Sequence, residues 1–158
     1  MGKIYYFDTS AYWKYYRGPN ENGFHIVNNL VANQKEPIWI SLFTQLEFYG
    51  RVAKAIRKGD VKRRKSPRLL KKIRAEIGKS GKFMVVPLPS GVYREAERII
   101  LIHNNYDFGT MDAIHIAIVN LLQQTNPNIV MVASDNGLLN CCRALNISTF
   151  NPEKDSLI

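Results

Sequence analysis

The chain has 158 residues, enough for one domain around one core, and its 46% hydrophobic content excludes an intrinsically disordered protein. Its formal charge of +9 is concentrated: fourteen Lys/Arg and two acids lie between Arg51 and Lys82, leaving the remainder at −3. No apolar run approaches the ~20 residues of a membrane-spanning helix, and the adjacent Cys141 and Cys142 suit neither an ordinary disulfide nor a paired-cysteine zinc site.

The opening MGKIYYFDTS lacks the long apolar stretch and cleavage site of a signal peptide, and Tyr6 stands where a myristoylation signal wants Ser or Thr, so the cytoplasm is the expected location. Lys3–Phe7 reads as a strand, and Asp8, Thr9 and Ser10 supply cap residues for a helix over Ala11–Arg17. A turn at Gly18-Pro19-Asn20 leads to a helix from about Glu21 to Asn33, with Phe24, Val27, Leu30 and Val31 on one side. Pro37–Ser41 is the second strand and Leu42–Arg57 a long helix. Gly59-Asp60 breaks it, and Ser66-Pro67 opens another helix reaching about Ile77. Phe83–Val86 is the third strand. A helix over Pro89–Asn104, a loop over Asn105–Gly109 and a strongly apolar helix over Thr110–Gln124 follow. Ile129–Ala133 is the fourth strand, Asn136–Ala144 a short helix and Ile147–Phe150 a last short strand. Strands separated by helices predict right-handed crossovers and a mostly parallel sheet covered on both faces, a single α/β domain over 1–158. The basic stretch 51–82 reads as a helical hairpin projecting from that sandwich.

Open parallel sheets gather ligands at the carboxyl ends of their strands. Four acids fall there. Asp8 follows the first strand, Asp135 the fourth, Glu47 lies in the second turn of the helix after the second strand, and Asp112 opens the apolar helix. Singly, each has a plain explanation as a helix cap or a partner of a helix dipole. Jointly they repel, and a cation relieves that repulsion. Hard carboxylate oxygens suit Mg²⁺ or Mn²⁺ over zinc. Among the neighbours, Thr9 and Ser134 are the candidates for supporting the acids, whereas Ser10 and Asn136 read as turn and cap residues. His115, one turn after Asp112, reads as a hydrogen-bonded core histidine. Tyr12, Tyr15 and Tyr16 share a stripe that suits packing better than base stacking, with Trp13 beside them.

The charge asymmetry favours a polyanionic partner over a merely solubilising surface; an acidic protein or a membrane surface would feel the same attraction. Arg51, Lys54, Arg57, Lys58, Lys62, Arg63, Arg64 and Lys65 are the candidates for holding nucleic-acid phosphates.

Four segments resemble PIN domains, in order and over nearly the whole chain: IYYFDTSAYWKYY, TQLEFYGRVAKAIRKG, DFGTMDAIHIAIVN and VMVASDNGLLNCCRALNISTFNP. The likeness is greatest to the VapC-type branch, the toxins of type II toxin–antitoxin pairs. That resemblance implies an endoribonuclease using Mg²⁺ or Mn²⁺, with Asp8, Asp112 and Asp135 holding the metal and Glu47 completing the catalytic set. It also implies an RNA substrate, a cognate antitoxin and a homodimer; from the lack of a long apolar run, no membrane association is expected. The chain departs from the pattern in its unusually basic hairpin, in the added acid of Asp107-Phe108-Gly109, and in Ala133, where some relatives carry a hydroxyl. A haloacid-dehalogenase-type phosphatase would need a second Asp where Ser10 stands, and a receiver domain would need paired acids near the N-terminus and a late-strand Lys. A PIN-like module that binds RNA or protein without cutting, and a nuclease acting on DNA, remain open alternatives.

Overall fold

A computed structural model describes residues 2–78 and 81–156. The Met1 of the opening Met-Gly, Lys79 and Ser80 of the basic stretch, and the last two residues of the 1–158 domain lie outside the described residues. The elements run β1 (Ile4–Phe7), α1 (Thr9–Arg17), α2 (Phe24–Asn33), β2 (Ile38–Ser41), α3 (Leu42–Lys58), α4 (Ser66–Ala75), β3 (Phe83–Val86), α5 (Val92–Ile102), α6 (Thr110–Leu122), β4 (Ile129–Val132), α7 (Asn136–Ala144) and β5 (Ser148–Phe150). The sheet is parallel throughout, in the order β3-β2-β1-β4-β5. No helix among the described residues is long and apolar enough to cross a membrane.

Strand alternation divides the core into two. Ile4, Tyr6, Trp39, Met84, Val86, Ile129 and Met131 face α5, α6 and α7. Tyr5, Phe7, Ile38, Ile40, Phe83, Val85 and Val132 face α1, α2, α3 and α4. The result is a three-layer α/β sandwich. Both layers are apolar, which is why the strands read as near-continuous hydrophobic runs. The Tyr12–Tyr15–Tyr16 stripe packs in the second layer against Phe48 and Phe83, with Tyr12–Phe48 ring centroids 4.8 Å apart and Tyr15–Phe83 centroids 5.2 Å apart. Cys141 and Cys142 are buried free thiols.

Element ends shift where a local backbone feature overrides periodicity. α1 begins at Thr9, two residues earlier than expected, because Asp8 caps it: Asp8 Oδ1 accepts from the Ala11 N–H at 2.7 Å. α2 and α5 begin three residues later than expected, at Phe24 and Val92. Each follows a glycine in the left-handed region, Gly23 at φ 78° and Gly91 at φ 80°. α6 ends at Leu122, two residues short of the expected Gln124.

The basic segment is a turn between packed helices. α3 ends at Gly59 with its carbonyls capped, a short 3-10 turn follows at Arg63–Lys65, and α4 stops at Ala75, before the expected Ile77. Val52, Ala55 and Ile73 bury the hairpin's apolar side. Its foot is pinned to α1: the Tyr16 hydroxyl donates to Glu76 Oε2 at 2.8 Å, and Lys82 Nζ donates to Tyr15 Oη at 2.6 Å. All eight candidate phosphate-holding cations, Arg51 to Lys65, are exposed.

Candidate active site

The three central strands carry the site. β1 pairs with β4 in the register Phe7↔Val132, and the Asp8 N–H donates to the Val132 carbonyl at 3.1 Å. Asp8 and Asp135 therefore leave neighbouring strands at the same end of the sheet. β2 flanks β1 on the other side and feeds α3, whose second turn bears Glu47. α6 brings Asp112 in its first turn.

The four carboxylates are held differently. Asp8 is buried, accepting from Ala11 N–H and, through both oxygens, from the Ser10 hydroxyl at 2.9 and 2.8 Å. Burial pushes its carboxyl above the usual range, against the opposing pull of His115, the Ala11 amide, Ser10 and Arg51. Asp112 is half-buried, with Oδ2 accepting from the Gly109 N–H at 2.8 Å. Burial raises it too, and the charges of Asp135 and Glu47 add to that shift. Glu47 goes the other way. Burial pushes it up, but hydrogen bonds from His115 and Thr9 outweigh burial and hold it below the ordinary carboxylate range. Asp135 is exposed, and its Oδ1 caps α7 by accepting from the Leu138 N–H at 2.8 Å.

Behind the acids runs a buried polar chain. His115 Nε2 lies 2.8 Å from Glu47 Oε2 and 3.2 Å from Thr9 Oγ1, and Thr9 also donates to Glu47. His115 Nδ1 lies 3.0 Å from Tyr6 Oη, which donates to Ser41 Oγ at 3.0 Å. Ser41 and Thr44 close a capping box at the start of α3, fixing the helix that carries Glu47. His115 is thus a core histidine, and through Glu47 it also belongs to the site. No sequence pattern points to Tyr6, Ser41 or Thr44, because their bonds cross 35 residues or more except within the cap.

Of the two candidate supports, Thr9 touches Glu47, but Ser134 makes no hydrogen bond to any of the four acids, and its hydroxyl is buried. Ser10, expected to be only a cap residue, is the hydroxyl that braces Asp8. Asn136 accepts from Lys154 at 2.9 Å. Among the basic candidates, Arg51 carries a charge that lowers both Asp8 and Glu47.

Among the described residues, no three His, Cys, Asp or Glu side chains are gathered closely enough to hold an ion as they stand. The chemistry of the donors nevertheless fits a hard divalent cation. Glu47 Oε1, Asp112 Oδ1 and Asp135 Oδ2 make no hydrogen bond among the described residues, while each partner oxygen is tied down. Asp112 also bears a mutual repulsion that a cation would remove.

A model of the PIN domain family matches residues 5–138. No curated protein matches the chain. Among solved structures, FitAcB from Neisseria gonorrhoeae is similar at 16% identity and TM-score 0.68, covering 96% of this chain and 100% of that one. VapC20 of Mycobacterium tuberculosis, a sarcin-ricin loop cleaving toxin, is similar at 14% identity and TM-score 0.61, covering 86% and 93%. VapBC2 from Rickettsia felis, bound to a DNA fragment from its promoter, is similar at 15% identity and TM-score 0.60, covering 94% and 98%. At these identities the likeness is one of fold. The residues matched by the family model run from β1 to the first turn of α7 and include all four acids, so the chain belongs to the PIN domain family.

Proposed function

We propose that this protein is a divalent-metal-dependent endoribonuclease, the toxin of a toxin–antitoxin pair, working in the cytoplasm. The observation that carries the reading is the convergence of Asp8, Glu47, Asp112 and Asp135 at one end of the central strands, where burial raises the carboxyls of Asp8 and Asp112 while hydrogen bonds lower that of Glu47. Asp8, Asp112 and Asp135 would hold Mg²⁺ or Mn²⁺. An ion held there would supply Lewis-acid polarisation of the scissile phosphate and would lower the pKa of bound water. Glu47, fixed by His115 and Thr9 and favoured in its charged form, is suited to position the attacking water by accepting its hydrogen bond. Thr9 and Ser10 hold the acids in place, and Arg51 stands beside them to meet a neighbouring phosphate.

The remaining cations, Lys54, Arg57, Lys58, Lys62, Arg63, Arg64 and Lys65, hold the strand without reading its sequence. Reversing Arg63 and Arg64 to Glu is expected to weaken RNA binding about tenfold regardless of sequence. The salt slope should fall by about one for each phosphate that is no longer neutralised. Filter binding at several salt concentrations measures both; an unchanged slope would confine these residues to solubility.

Mg²⁺ or Mn²⁺ at about 100 times its Kd is expected to stabilise the protein by about 2.7 kcal/mol and raise Tm by several degrees. A flat thermal-shift titration at millimolar metal would count against a preformed site. The decisive assay incubates the purified protein with a mixed RNA pool, and with DNA, in Mg²⁺, Mn²⁺ and EDTA arms, then sequences the ends. Cleavage with 5′-phosphate and 3′-hydroxyl ends in the metal arms alone is the expected result; binding without cleavage in every arm would leave a non-catalytic module. Leu42, Leu46 and Met111 are exposed apolar residues near Glu47 and Asp112 in sequence, and Tyr93, Leu101 and Ile102 are exposed on α5. They suit a homodimer or antitoxin contact.

A further inference from the structure

Trp13 packs at the edge of the tyrosine stripe and is only partly buried, and the proposed cleavage chemistry does not use it. Its inner side leans on Phe48, with ring centroids 5.6 Å apart at 59°. Its remaining surface stands between two open clefts. One, of about 460 Å³, lies between α1 and the α3–α4 turn and is walled by Arg17, Lys62 and Lys65. The other, of about 350 Å³, continues along α3 past Arg51, Lys54 and Lys58. Asp60 is the sole acid in either lining. None of these cations has a salt-bridge partner among the described residues.

We infer that this cleft is a single-stranded RNA subsite in which Trp13 stacks on an unpaired base, while Arg17, Lys62 and Lys65 hold the phosphates beyond it. The inference rests on the nuclease reading for its direction, because Arg51 joins the cleft to the acids: it lines the smaller cleft and its charge acts on Asp8 and Glu47. Along α1, Trp13 lies about 6 Å and Arg17 about 12 Å from Thr9 at the acid site. A strand with one phosphate at the acids therefore runs along this wall for a few nucleotides. Stacking needs an aromatic face and is tolerant of base identity, and the cations of the wall supply the hold on the backbone. Duplex RNA keeps its bases stacked inside and leaves the indole without a partner. An acidic polypeptide would be drawn to the same cations, but it engages Trp13 only where it happens to place an aromatic ring, whereas every nucleotide carries a base.

Trp13 and Trp39 are the two tryptophans of the chain, and Trp39 lies on β2 in the opposite core layer and lines a separate cleft, so the part of the emission change that Trp13→Ala removes reads this one. The experiment titrates the full chain, in EDTA to prevent cleavage, with a short single-stranded oligoribonucleotide, its duplex and poly-glutamate. Saturable quenching by the single strand alone is expected, absent in Trp13→Ala, which should bind about tenfold more weakly, and retained in Trp13→Phe as affinity. Lys62→Glu with Lys65→Glu leaves the Trp13–Phe48 packing intact and should lose affinity to a similar degree. Equal quenching by duplex, or by poly-glutamate, overturns the assignment, the latter in favour of an acidic protein partner. Wild-type affinity in both variants overturns it as well. Metal-dependent cleavage without quenching removes the subsite and leaves the nuclease reading standing; quenching without any metal-dependent cleavage upholds the subsite and removes the nuclease reading.

Discussion

Replacing Asp112 with asparagine is expected to cut metal-dependent RNA cleavage by about 10³-fold or more while making the metal-free protein more stable. Groups that merely orient a metal's ligands cost about 10- to 100-fold when removed, and a ligand itself should cost more. The stability gain follows from the carboxyl's raised pKa, caused by burial and then by Asp135 and Glu47. A group whose folded pKa exceeds its unfolded value binds more protons in the folded state, so its contribution to stability falls as pH rises. For Asp112 the loss begins near the ordinary value of 3.8 and is complete once pH passes the raised folded value. Asparagine escapes the loss and keeps an oxygen for the Gly109 N–H. The variant's Tm should therefore match wild type near pH 3.5 and exceed it at neutral pH in EDTA. Mg²⁺ should then narrow or reverse that gap, because only the wild type gains a full ligand set. Thermal scans at two pH values with and without metal check the pattern. A variant that cuts RNA at the wild-type rate removes Asp112 from the chemistry. One less stable than wild type in neutral EDTA overturns the raised pKa of Asp112.

The same residue illustrates what a sequence can carry. Asp112 was legible because it opens a strongly apolar helix after a loop, and strand-end topology then put it near Asp8 and Asp135. The alternation of Ile4, Tyr5, Tyr6 and Phe7 between two layers follows directly from the pleat, so the three-layer sandwich was legible as well. Other features carry no local trace. Lys14 reads as a surface helix residue, yet it is buried and pairs with Glu153 at 2.6 Å, 139 residues away. Ser10 and Ser134 are both serines beside an acid. Nothing local in the sequence tells that Ser10 braces Asp8 while Ser134 makes no hydrogen bond to Asp135. His115 required two distant partners, Tyr6 and Glu47, before its role could be stated. Trp13 could be separated from the tyrosine stripe by helical spacing, but its cationic surroundings come from a turn some fifty residues on.

Gly137→Ala is expected to lose about 10²-fold in cleavage and about 2 kcal/mol in stability without altering any acid. Gly137 is the second residue of α7, and a Cβ there would lie 1.6 Å from the Asp107 carbonyl oxygen and 2.5 Å from its carbon. The obstacle is backbone, so no rotamer relieves it, and overpacking of this kind costs about 1–3 kcal/mol. The loop must withdraw, and it carries Gly109, whose N–H fixes Asp112 Oδ2. The same Cβ would lie 3.2 Å from Asp135 Oδ1, disturbing the cap that orients Asp135. One methyl group thus misaligns two of the four acids, and a displacement of about 1 Å in a reacting constellation is worth about 10²-fold. Gly50→Ala is the control: it lies in α3 with nothing within 4 Å of its Cβ, and should gain about 0.5–1 kcal/mol with cleavage unchanged. The Asp107–Gly137 approach is therefore the point where the α5–α6 loop and α7 fix each other's position. A Gly137→Ala protein as stable and active as wild type would mean that the loop is free to move away and that the placement of Asp112 and Asp135 does not depend on it.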